Sequence, residues 1–188
     1  RLVGSEMCIR DRLRHRGIDK EALDAFSYRG LVYESADYHN AVFVGADREG
    51  KPRHIHKHST AAQGSFKGNA PGSKPEYSFH WVGGGDTLFL FEAPIDMLSF
   101  ISMHKQHWKS SSYAAACGVS DKVLWKTMEG RPFIRNVCIC LDNDETGQKA
   151  AQRISKALTE KNIRNQILVP TRKDWNEDLL FLRKEDRK

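Results

Sequence analysis

The sequence predicts an open α/β domain over residues 86–188, preceded over 13–85 by a small, basic α+β domain. Three observations carry this prediction. Four short apolar runs, "TLFLF" (87–91), "YAAAC" (113–117), "VCICL" (137–141) and "QILV" (166–169), start 26, 24 and 29 residues apart, which leaves room for one helix and two loops between each pair. The runs are continuous rather than alternating, as in strands covered on both faces. The segments between them read as helices, and strands alternating with helices give a parallel sheet with helices on its faces.

The helices can be justified one by one. "APIDMLSFISMHKQHW" carries Pro94 where a first helical turn tolerates proline. "TGQKAAQRISKALTEKN" sets Ala150, Ala151, Ile154, Ala157 and Leu158 on one face, with Asn162 as its stop. Residues 13–85 have another texture: a short helix in "DKEALDAFSYRG", then strand-like runs flanking the turn signal "DREG". "AAQGSFKGNAPGSKPEY" is basic and loop-rich, Phe66, Tyr77 and Trp81 are assigned to the core, and "GGGD" at 83–86 reads as a hinge. The opening "RLVGSEMCIRDR" differs from all that follows. It resembles translated adapter read-through, so 1–12 is set aside as a non-native or disordered leader.

Composition narrows the function classes. The 188 residues carry 30 Lys and Arg against 24 Asp and Glu, a net charge of +6, which suits a polyanionic partner. No apolar run approaches the ~18 residues that span a bilayer, so no membrane role is expected. Cys8, Cys117, Cys138 and Cys140 include no Cys-x-x-Cys pair, so zinc is not expected; free thiols in a reducing, cytoplasmic compartment fit better.

The chemistry lies in the acidic residues. In open α/β sheets ligands collect at the carboxyl ends of the strands. Glu92 follows the first apolar run, Asp142 and Asp144 follow the third, and "RKDWNEDL" after the fourth supplies Asp174, Asn176 and Asp178. Two like charges ~4 Å apart repel by about 4 kcal/mol at an effective dielectric near 20. Such a cluster is best tolerated with a cation, and an all-oxygen ligand set favours Mg²⁺, with Mn²⁺ as an alternative. For Asp144 alone, and for Asp96 in a first helical turn, capping and the helix dipole are sufficient explanations.

"FEAPID", "CLDNDETG" and "KDWNEDL", in this order, resemble the three motifs of the Toprim domain over about 86–180. The nearest likeness is to primase-like Toprim proteins of bacterial mobile elements, in which a domain of unknown function precedes the Toprim part. The resemblance implies a Rossmann-like, mostly parallel four-stranded sheet with flanking helices. "NAVFVGADREGKP" and "FKGNAPGSK" resemble the strand-rich half of a primase core. Carried over by position, Glu92 is the acid/base residue, and Asp142, Asp144 and Asp174 hold Mg²⁺. Asp96, Asn176 and Asp178 form a secondary acidic site. Ala93 stands where many Toprim domains have Gly, and Asn176 where Asp is common. The implied function is primase-like nucleotidyl transfer on single-stranded DNA with nucleotides as substrates, and a helicase or relaxase of the same element as partner. A Toprim nuclease and a non-catalytic DNA-binding or mobilisation module are the alternatives.

The nucleic-acid surface is placed on the basic half, at Arg53, Lys57, Lys67 and Lys74 beside Gly-rich loops. His54, His56 and His58 alternate along a strand and share one face, read as solvated or phosphate-facing.

Overall fold

A computed structural model describes residues 9–59, 66–118 and 120–185. Helices α1 (Ile9–His15) and α2 (Lys20–Tyr28) open the chain. Asp19 starts α2 by accepting from the Glu21 amide at 2.9 Å. A four-stranded antiparallel sheet follows, in spatial order β1 (Val32–Glu34), β2 (Ala41–Ala46), β3 (Pro52–His58), β4 (Lys67–Asn69). The β2–β3 hairpin turns through "DREG" as its residues dictate. Of the stretch set aside as a leader, 1–8 lies outside the described residues. Ile9–Arg12 is helical and packed, with the Ile9 side chain buried and its amide donating to Glu34 Oε2 at 2.7 Å.

The second half contains β5 (His80–Trp81), β6 (Thr87–Phe91), α3 (Pro94–Met103), β7 (Ser112–Ala115) and α4 (Lys122–Met128). β8 (Asn136–Cys140), α5 (Glu145–Glu160), β9 (Arg164–Ile167) and α6 (Trp175–Glu185) complete it. The sheet order is β5-β7-β6-β8-β9, with β6 to β9 parallel and β5 antiparallel at the edge. The four expected parallel strands are all present, but β9 starts two residues before the expected "QILV" and, at the sheet edge, alternates exposed and half-buried residues instead of being covered on both faces. The fifth, β5, lies in "YSFHW", which the sequence grouped with the first half; two residues are too few for a periodic signal.

Leu88, Leu90 and Ile139 face α4 and α5, while Phe91, Tyr113 and Cys140 face α2, α3 and α6. That second core is shared by both halves. Phe26 of α2 stacks on Trp108 at 5.8 Å and leans on Phe79 at 5.0 Å, and Phe43 of β2 meets Phe79 edge-on. The "GGGD" stretch is correspondingly not a hinge. A Cβ at Gly83 would stand 2.4 Å from the carbonyl oxygens of Ser110 and Ser111, so glycine is there to let two backbones touch. Phe66 is also corrected: it lies 55% exposed rather than in the core.

Candidate active site

β8 lies between β6 and β9, so three acidic segments far apart in sequence leave the sheet side by side. In register Phe91 pairs with Cys140 and Ile139 with Ile167, which places Glu92 and Asp142 just beyond adjacent strand ends. The β8–α5 turn is bound to the loop before α6: the Asn143 amide donates to Lys173 O at 2.8 Å, and Asn143 Nδ2 to Pro170 O at 3.2 Å. Trp175 Nε1 donates to Cys140 O at 2.9 Å and fixes the start of α6 on β8.

The oxygens divide by task. Asp144 is the N-cap of α5; its Oδ1 accepts from Gly147 N at 2.7 Å, leaving Oδ2 free. Asp174 likewise gives Oδ1 to Glu177 N at 2.8 Å. Asp142 Oδ1 is buried with no hydrogen-bond partner. Burial first, then the charges of Glu92, Asp174 and Asp144, push the Asp142 carboxyl up to about 7, with Lys67 acting oppositely. Glu92 is also raised, by burial and then Asp144, against Lys67 and Lys173. These four carboxylates form one electrostatic unit.

Of the secondary residues, Asp178 and Asn176 sit apart from it in role. Asp178 uses both oxygens on the loop before α6, from Thr171 N at 2.7 Å and Arg172 N at 2.9 Å. Asp96 is buried, and desolvation holds its carboxyl well above the usual range. Asn176 Nδ2 donates to Arg16 O and to Ser99 Oγ, both at 2.9 Å. Ser99 Oγ gives its own proton to Ile95 O, so the amide orientation is fixed and Asn176 is a joint between α1, α3 and α6.

Among the described residues no three His, Cys, Asp or Glu side chains form a group that could hold a metal ion. Mg²⁺ does not require one, since it binds commonly through one or two carboxylates plus substrate phosphates. The unpartnered Asp142 Oδ1 and the spare Oδ2 atoms fit that mode.

Of the four basic residues, the structure brings Lys67 to the carboxylates. It acts on Glu92, Asp142, His56 and His58 alike. Arg53 is paired with Asp47 at 2.6 Å, and Lys57 lies on the face of β3 opposite the histidines. The histidine face is not solvated. His54 and His56 are buried, and Asn69 Oδ1 lies 3.1 Å from His54 Nε2 and 2.8 Å from His56 Nδ1. Desolvation lowers both, and lowers His58 to about 4, so this face is uncharged at neutral pH. Asn69 Nδ2 reaches Cys117 O, and the Cys117 amide donates to Glu92 O, so β4 braces the Glu92 backbone. Sequence reasoning missed Lys173 and Arg16. Lys173 directly precedes Asp174, a position that could have flagged it; Arg16 carries no local signal.

Family comparison matches residues 89–179 to a Toprim-like family and 13–86 to a protein family of unknown function, DUF3991. The chain therefore carries a Toprim-like domain preceded by that second domain. An uncharacterized Bacillus anthracis protein, pXO2-78, is 27% identical over 162 residues, covering 80% of this chain; the chain spans 47% of that relative's length. The primase fragment of the bacteriophage T7 primase-helicase superposes with a TM-score of 0.66 at 20% identity, over 93% of this chain and 69% of that one. Aquifex aeolicus primase gives 0.58 at 15%, over 92% and 53%. A DnaG primase catalytic domain bound to ssDNA gives 0.60 at 14%, over 94% and 69%. The fold is that of primase catalytic cores. Among the described residues no helix is long and apolar enough to cross a membrane.

Proposed function

We propose that the chain is a Mg²⁺-dependent nucleic-acid enzyme whose reaction is primase-like nucleotidyl transfer on a single-stranded DNA template. The observation that carries this reading is the half-buried Glu92 beside Asp142, Asp144 and Asp174 at three adjacent strand ends. Asp142 and Asp144 would hold Mg²⁺, with Asp174 completing the shell; the bound ion supplies charge neutralisation at the phosphate. Glu92 accepts the proton of the attacking sugar hydroxyl as its oxygen bonds to the α-phosphorus of a nucleoside triphosphate and pyrophosphate leaves. Its raised pKa suits that task, since a base works best with a pKa near the operating pH. Lys67 and Lys173 approach the same carboxylates with positive charge, where phosphates would lie. Arg53, Lys57 and Lys74 belong to a wider nucleic-acid surface of the first half. The enzyme acts in the cytoplasm of a bacterium, serving a mobile element beside its helicase or relaxase.

The test incubates the protein with single-stranded DNA, labelled nucleotides and Mg²⁺ or Mn²⁺. Extended products support nucleotidyl transfer, shortened DNA would mean a nuclease, and retardation alone a binding module. Glu92→Gln keeps shape and a possible oxygen ligand but cannot exchange the proton. It is expected to retain Mn²⁺ and DNA binding while turnover falls by ~10²–10⁴-fold. Unchanged turnover would remove Glu92 from the mechanism.

A further inference from the structure

Single-stranded nucleic acid must leave the acidic site in some direction; the outer face of β3 presents Lys57, with Arg53 already paired with Asp47. A different basic surface starts one joint away. Arg16, whose carbonyl is held by Asn176, lies near enough to His58 to depress its basicity after burial has done most of the work. From Gly17 a groove of about 890 Å³ runs between α1 and the C-terminal half of α6. Arg14, Lys20, Arg183 and Lys184 line it, against Asp11 and Asp19. Asp19 is already spent, its Oδ1 on the Glu21 amide and its Oδ2 on Lys105. Lys20 is paired with Asp24 at 2.5 Å, and Arg183 leans on Gly17 O. Arg14 and Lys184 are exposed and make no ion pair among the described residues.

We propose that this α1–α6 groove is a track for the phosphate backbone of the single strand, continuing from the acidic site across Arg16. The inference rests on the nucleic-acid reading above and adds a surface in neither the acidic cluster nor the β3–β4 region. Its chemistry is that of a sequence-independent phosphate contact. Two cations with no ion pair among the described residues face a groove open enough for a chain, and the His15 ring that also lines it would stack on any base without selecting one. An exposed cation held by no carboxylate costs little to bring to a phosphate, because no ion pair must first be broken.

The experiment measures binding of the intact chain to a fluorescent single-stranded oligonucleotide across a salt series. Arg14→Gln with Lys184→Gln should flatten the slope of log K against log salt by about 1.4, which is about 0.7 for each single-strand phosphate that is no longer neutralised. Lys156→Gln with Arg164→Gln removes the same charge from α5 and β9, away from the groove, and should leave the slope within error of wild type. An unchanged slope in the groove variant overturns the proposal, as does an equal change in both variants. Wild-type protein that binds no oligonucleotide at any salt sinks the nucleic-acid reading itself. That result is distinct, because the proposal then fails before any variant is made.

Discussion

Asp142 holds the least comfortable charge in the site. Its folded-state pKa, about 7, lies above the ordinary 3.8, so the folded protein binds more protons than the unfolded chain between those values. Stability from this group is therefore fully present below about pH 4 and is lost as pH rises through 7. Discounted for the side chain's partial exposure, the loss is on the order of 2 kcal/mol. Asp142→Asn should abolish that decline, raise the melting temperature in EDTA at pH 8, and lose Mn²⁺ binding. A variant less stable than wild type at pH 8 would show that the carboxylate contributes to the fold instead of straining it. Which positions are acidic was legible in "CLDNDETG". Their division of labour was not, because whether an oxygen is spare depends on which amide comes within 3 Å of it.

Capping decides the behaviour of α5. Asp144 serves as N-cap while keeping one oxygen for the site, so the cap and site readings of this residue are compatible. Asp144→Asn preserves a capping oxygen and should leave stability within about 0.5 kcal/mol, whereas Asp144→Ala should cost about 1 kcal/mol in urea unfolding. If both variants lose stability equally, the cap is not what Asp144 contributes. The first turn of α5 contains Gly147, where a Cβ would meet Asp142 O at 2.4 Å; the helix can start directly under the acidic pair because that side chain is missing. The strands β6, β7 and β8 were readable as apolar runs since both faces of each are covered. The two-residue β5 and the close approach at Gly83 had no such signature, as both depend on what the chain meets after folding.

At the scale of the molecule, the halves share one aromatic core and are tied by polar contacts that include Asp19 N to Ser102 Oγ, Lys109 to Glu21 and Asn69 Nδ2 to Cys117 O. Asn176 supplies one of these polar joints. Asn176→Ala should leave Arg16 O and Ser99 Oγ without that donor and cost ~1–3 kcal/mol. Asn176→Asp should cost more, because a carboxylate would face Arg16 O, and chemical denaturation of the three proteins would rank them. Asp equal to Asn in stability would mean that the amide orientation is not what holds the joint. By itself the sequence determined the alternation of strands and helices, the Toprim-like motifs and the acidic positions, because each is written in local periodicity or in a short contiguous string. Tertiary structure alone decided that β8 stands between β6 and β9, that the histidine face turns inward onto Asn69, and that Arg16 comes near His58. Those depend on which distant segments exclude water together, and pairing across many tens of residues leaves no mark on either segment read alone.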